Sequence, residues 1–153
     1  MRTLIPLLAC LCLACVHQPR MSRDAAGMRL SDRLDQADLA LREARLLDAE
    51  IAYRRLASDH PRLPEVWLRL GNIYVRQDQL DAAVHSYRQG LQRHPSDGRL
   101  WYNLALAQLR QSIDTLETAS AVLAVDSPYH VRLQALHQRL LQLAAPDHNG
   151  DSP

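Results

Sequence analysis

The sequence predicts an all-α fold, a short solenoid of helical hairpins, and three observations predict it. The first is a repeat. Stepping back 34 residues from the stretch 64–97 carries Ala83 to Ala49, Tyr87 to Tyr53, Arg88 to Arg54, His94 to His60 and Pro95 to Pro61. Stepping forward by the same amount carries Trp67 to Trp101, Leu70 to Leu104 and Gly71 to Ala105. A fixed period of this length marks stacked units that cannot bury their apolar faces alone. The second is helical phase: Trp67, Leu70, Gly71 and Tyr74 fall at i, i+3, i+4 and i+7, one stripe of a helix. The third is composition. The chain is 47% hydrophobic but only 5% aromatic, with no Phe, which suits helices packed on Ala and Leu better than a β-sandwich.

The first 20 residues, MRTLIPLLACLCLACVHQPR, carry one early charge, Arg2, then an apolar run from Leu4 to Val16. That run is shorter than the roughly 20 residues that cross a bilayer and fits the apolar region of a secretory signal. Leu13-Ala14-Cys15 resembles a bacterial lipoprotein signal, which is cut before the cysteine that takes the lipid. Cys12 departs from the Leu usual three positions before the cut. Leu7-Leu8-Ala9-Cys10 matches the local motif better but leaves an apolar region of only about six residues, below the usual range. The expectation is a signal over 1–14, lipid on Cys15 with Cys10 as the alternative, and a tether over 15–29. Val16 stands where Asp would resemble an inner-membrane retention signal, so the resemblance implies the periplasmic face of the outer membrane. An ordinary cleaved signal or an uncleaved anchor is the competing reading.

Three units follow, near 30–63, 64–97 and 98–128. In the first, Ser31 is the candidate N-cap of a helix over 31–43. Arg33 and Ala40 replace the large residues found at Trp67 and Tyr74, as suits a terminal unit. A second helix over 46–58 carries Ala49, Tyr53 and Leu56. The second unit opens with Pro64 in a first turn, where its missing N–H costs nothing. Gly71 is expected to face Ala83 so that the two backbones approach closely, with Tyr87 filling the space beside them and Pro95 ending the second helix. The third unit is capped by Ser96 or Asp97. Asp114-Thr115-Leu116-Glu117 reads as a capping box that starts its second helix. Residues 130–144 form a capping helix, and 145–153 (APDHNGDSP) a polar disordered tail.

W-x2-L-G-x2-Y (Trp67, Leu70, Gly71, Tyr74), A-x3-Y (Ala83, Tyr87) and the closing Pro95 resemble the tetratricopeptide repeat (TPR). Trp101, Leu104 and Ala105 extend the signature into the third unit. The resemblance covers about two-thirds of the chain and implies a concave groove lined mainly by the first helix of each unit, able to hold a peptide segment. By that resemblance the groove-facing positions are Glu65, Leu68, Arg69, Asn72 and Arg76, then Tyr102, Asn103, Leu106 and Arg110, with Arg132 on the closing helix. Asn72 and Asn103 match two asparagines of the TPRs that clamp a peptide carboxylate, and Arg132 stands where a basic partner could. Leu68 occupies the place of the first clamp lysine, and ordinary repeat consensus accounts for both asparagines. Trp67 and Trp101 read as core residues.

Catalysis has little support. The chain lacks G-x-S-x-G, H-E-x-x-H and P-loop motifs, and its seven histidines show no metal-ligand spacing. Neither catalytic nor metal residues, nor a cofactor, are expected. All 18 basic residues are Arg, which reads as codon usage in GC-rich DNA, and the net charge of +1 gives no pull toward nucleic acid. The expected partner is a protein of the cell envelope. Small TPR lipoproteins resembling this chain accompany pilus and secretion systems of the type IV and Flp/Tad kinds, where a secretin or another assembly component is the partner. An adaptor for peptidoglycan enzymes or for polysaccharide export is the alternative. Cys15→Ala should abolish metabolic labelling with a radioactive fatty acid. Label that survives Cys15→Ala combined with Cys10→Ala would sink the anchor.

Overall fold

The computed structural model describes residues 28–144. The expected signal, most of the tether and the tail lie outside them. The described residues form six helices: α1 Leu30–Arg42, α2 Leu46–Asp59, α3 Pro64–Arg76, α4 Leu80–Leu91, α5 Gly98–Val122 and α6 His130–Ala144. Each packs on the next, and α3 also touches α5, so the fold is an all-α solenoid.

The two hairpins α1–α2 and α3–α4 are built alike. Each closes through one residue in the left-handed region, Ala44 (φ 57°) and Asp78 (φ 60°), 34 positions apart. Around them the Arg45 amide donates to Ala40 O at 2.9 Å and the Gln79 amide to Tyr74 O at 2.8 Å. This is a Schellman-type closure that satisfies the last carbonyls of the first helix. Pro64 sits in the first turn of α3, and the Asp97 side chain accepts from the Arg99 amide at 3.0 Å to cap α5. Ser31 is not a cap. It lies inside α1, whose N-cap is Arg29 and has no side-chain partner there.

The crossing of α3 and α4 differs from expectation. A side chain at Gly71 would meet the Tyr87 ring, not Ala83, with Tyr87 Cδ1 only 2.6 Å from where a Cβ would sit. The ring lies over the bare Gly71 backbone, and Ala83, fully buried, packs beside it in the cluster joining α3, α4 and α5. The first hairpin uses Ala37 at the same register, buried with Tyr53 and Ala49 in the cluster of α1, α2 and α3.

The third unit is not a hairpin between 98 and 128. α5 runs unbroken for 25 residues, and the 114–117 capping box lies within it. The register explains why. Leu80, Ala83 and Tyr87, which seat α4, become Asp114, Glu117 and Ala121 one period later. A helix starting at Asp114 would bring a carboxylate to the crossing, at the cost of an unpaired buried charge, and would have no ring to fill the gap. The left-handed position falls on Ser112, whose hydroxyl instead donates to Gln108 O within the helix at 2.9 Å. With no helix crossing there, Ala105 is exposed and Trp101 is 53% exposed, so neither is the core residue the signature implied. Leu104 is buried. Trp101 still repeats one bond: its Nε1 donates to Pro95 O at 2.8 Å, as Trp67 Nε1 does to Pro61 O at 2.8 Å.

Because Tyr87 is fully buried and cannot swing away, Gly71→Ala should lower the unfolding free energy by about 1–3 kcal/mol through overpacking. Gly98→Ala, whose Cβ would meet nothing within 4 Å, should leave stability unchanged or raise it by up to about 1 kcal/mol. Urea unfolding of both variants checks the pair, and equal midpoints would count against this crossing.

Candidate functional site

The first helices of successive units stand side by side, so positions 34 apart line one inner face. α3 contributes Asn72, Val75 and Arg76, and α5 contributes Asn103, Leu106 and Arg110. Leu109 adds to that face, and because α5 does not turn at Ser112 its inner stripe continues through Ile113, Asp114 and Glu117. Ala144 at the end of α6 closes the far side, and the groove so formed encloses about 740 Å³. Its floor is apolar. Arg76 and Arg110 stand on one part of the rim, and Asp114 and Glu117 on another.

The rim charges are only loosely engaged. Arg110 lies 3.9 Å from Asp78, both exposed, and Arg76 donates to Leu41 O at 3.3 Å. Asn103 Nδ2 donates to Arg99 O at 2.8 Å along its own helix. Asn72 has a different task, for its Oδ1 accepts the Tyr87 hydroxyl at 2.7 Å. The same pair recurs one period earlier, where Asp38 Oδ1 accepts the Tyr53 hydroxyl at 2.7 Å. At the third register the residues are Leu106 and Ala121, and the bond has no counterpart.

Tetratricopeptide repeat family models match residues 34–83 and residues 64–109. The chain carries tetratricopeptide repeats. Among curated proteins it is similar to a general transcriptional corepressor, ssn6, of Schizosaccharomyces pombe, 36% identical over 56 residues. It is also similar to a general transcriptional corepressor, trfA, of Dictyostelium discoideum, 33% identical over 81 residues. These stretches are 35% and 50% of this chain but 5% and 6% of the two relatives, so the chain spans about a twentieth of their length. TPR hairpins are protein-interaction scaffolds, generally without catalytic groups of their own. Among the described residues no cluster of His, Cys, Asp and Glu could hold a metal ion, and no helix is long and apolar enough to cross a membrane.

Of the ten groove positions implied by the TPR pattern, Asn72, Arg76, Asn103, Leu106 and Arg110 line the groove. Leu68 does not. It is buried with Ala83, Leu91 and Leu100, because the register that faces the next unit is covered by α5. The same register at Tyr102 has no further unit to cover it, so Tyr102 is 66% exposed and stands apart from the groove. Glu65 and Arg69 belong to a charge ladder across three first helices. Asp38 lies 3.6 Å from Arg69, Arg69 2.9 Å from Glu65, Glu65 2.8 Å from Arg99, and Arg99 2.9 Å from Asp97. Partly exposed pairs of this kind each contribute about 0–1 kcal/mol, and their signs alternate along the ladder. The bond from Arg99 holds the Asp97 carboxyl below the usual range. Arg132 is at the start of α6, whereas it is the end of α6 that reaches the groove. Val75 and Leu109, one period apart, were missed within the expected first helices, and Ile113, Asp114 and Glu117 were missed because α5 was expected to stop short of them. The failed register at Asp114, Glu117 and Ala121 was the signal that could have found these last three.

The tyrosine pairs give the scaffold an alkaline limit. Burial pushes the Tyr87 hydroxyl up to about 12 from 10.0, and burial, aided by the Asp38 bond, also raises Tyr53. The folded values exceed the unfolded one, so their contribution is fully present below about pH 10 and is lost as the pH rises toward and past 12. Burial, with the nearby Glu50 carboxylate, also raises Tyr74, so its contribution is lost in the same direction, and the chain has no Lys to add to it. Stability followed by urea melts should fall above pH 10. Tyr53→Phe with Tyr87→Phe should start about 1–3 kcal/mol lower, two hydrogen bonds poorer, and show a flatter profile. An unchanged slope would refute the assignment.

Proposed function

We propose that the chain is a non-catalytic scaffold held at the periplasmic face of the outer membrane by lipid on Cys15. There it holds a protein partner while a pilus or secretion machine assembles. The observation that carries the binding part is the groove: an apolar floor of Val75, Leu106, Leu109 and Ile113, flanked by Arg76 and Arg110 and bounded on its far side by the end of α6. A half-exposed apolar strip with a charged rim suits one face of a partner segment, its side chains on the floor and its acidic groups against the arginines. The anchor rests on Leu13-Ala14-Cys15 and on the short apolar run before it. Two acyl signals on one cysteine are enough for stable membrane attachment. The machine is inferred from resemblance to small TPR lipoproteins, since fold does not fix function.

Affinity capture of the lipidated protein from gently solubilised envelopes, with partners identified by mass spectrometry, tests the reading. A secretin or pilus component should be recovered, and Leu106→Glu with Arg110→Glu should lose it while retaining helicity by circular dichroism. Recovery of a peptidoglycan enzyme or polysaccharide-export protein would replace the machine but keep the groove. Capture indifferent to the double substitution would remove the groove from the account.

A further inference from the structure

The groove is electrically divided along its length. On α5, Arg110, Ile113, Asp114 and Glu117 fall at i, i+3, i+4 and i+7, and all four line it. α3 ends at Arg76, the counterpart of Arg110 one period earlier, so the two arginines mark one end. One and two turns further along α5, Asp114 and Glu117 mark the other, where Glu117 lies 3.7 Å from His137 of α6. These charges hardly engage one another. Arg110 and Asp114 are one turn apart, yet the carboxylate nearest Arg110 is that of Asp78 at 3.9 Å. Among the described residues Asp114 forms no ion pair. Ile113 lies between the two ends, and Val75, Leu106 and Leu109 continue the apolar floor on the arginine side.

Granted that the groove holds a partner segment, we infer that this segment is an amphipathic helix of mixed charge. Its carboxylate faces Arg76 and Arg110, and a basic side chain two turns away faces Asp114 and Glu117. A segment of one sign meets attraction at one end and repulsion at the other, so the groove selects against it. The spacing selects a helix. Arg110 and Glu117 are separated by about 10 Å along α5, and a helix brings side chains at i and i+7 to one face over that same distance. An extended segment covers it in about three residues and turns its two ends to opposite faces. Apolar side chains one turn before the acid and between acid and base then lie on Leu106, Leu109 and Ile113. The acidic end exists because α5 runs on past Ser112; a third hairpin would have carried Asp114 and Glu117 away on its second helix.

Three stapled helical peptides test this, alike in their leucines and differing only at positions i and i+7: Glu with Arg, Glu with Glu, and Arg with Arg. Fluorescence anisotropy on the full chain in detergent micelles, read against empty micelles, should show the Glu/Arg peptide binding about tenfold more tightly than either of the others. Asp114→Arg with Glu117→Arg should make the Glu/Glu peptide the tightest. Leu106→Glu with Arg110→Glu should weaken the Glu/Arg peptide, and both variants should retain helicity by circular dichroism. Equal affinity of the parent for the Glu/Arg and Glu/Glu peptides, or an order unmoved by the Asp114 and Glu117 reversal, would overturn the inference and leave the groove in place. Absence of binding by all three, or affinity that ignores Leu106→Glu with Arg110→Glu, would instead remove the groove itself and the mixed-charge helix with it.

Discussion

The Tyr87 ring lying across the bare Gly71 backbone, its hydroxyl held by Asn72, is the contact on which the rest of the architecture depends. It fixes how closely α3 and α4 approach and at what angle, and so fixes which residues of α3 face inward. Tyr53 does the same for the first hairpin over Ala37, with Asp38 as its acceptor. A buried ring of this size contributes chiefly by apolar burial, but its hydroxyl could not be buried unpaired without cost. The acceptor one residue after the crossing therefore goes with the ring. In each of the two hairpins, then, a polar residue next to the crossing is committed to the fold.

That commitment explains why the inner face is not uniform. Where the Tyr is present, the inner register is held by Asp38 or Asn72. Where it is absent, the register becomes Leu106 and turns apolar. The third unit keeps the first-helix signature and loses every residue that would seat a second helix. α5 consequently runs on, and its inner stripe becomes the longest wall of the groove. The same loss leaves Trp101 and Tyr102 uncovered and sends the chain back along the second half of α5 as α6. Groove and exposed end are two consequences of one failed register.

Charge has a separate and weaker role. The ladder from Asp38 through Arg69, Glu65 and Arg99 to Asp97 alternates sign across units, and most of its members are only partly exposed. It selects neighbours more than it stabilises them. The arginines that remain loosely engaged, Arg76 and Arg110 on the groove and Arg132 and Arg139 on α6, are available to partners.

By itself the sequence determined the period, the helical class, the first two hairpins nearly to the residue, and the resemblance to tetratricopeptide repeats. These follow from local rules: helical spacing, Pro in a first turn, and small residues opposite aromatic ones. Half of the implied groove positions also follow, because they are fixed by phase within one helix. Tertiary structure alone decided that the Gly71 gap is filled by Tyr87 and that Asn72 belongs to the core network. It also decided that Leu68 is covered by α5 while its repeat partner Tyr102 is left bare. Each of these depends on what the neighbouring helix presents, and a one-dimensional period cannot state whether that neighbour is there.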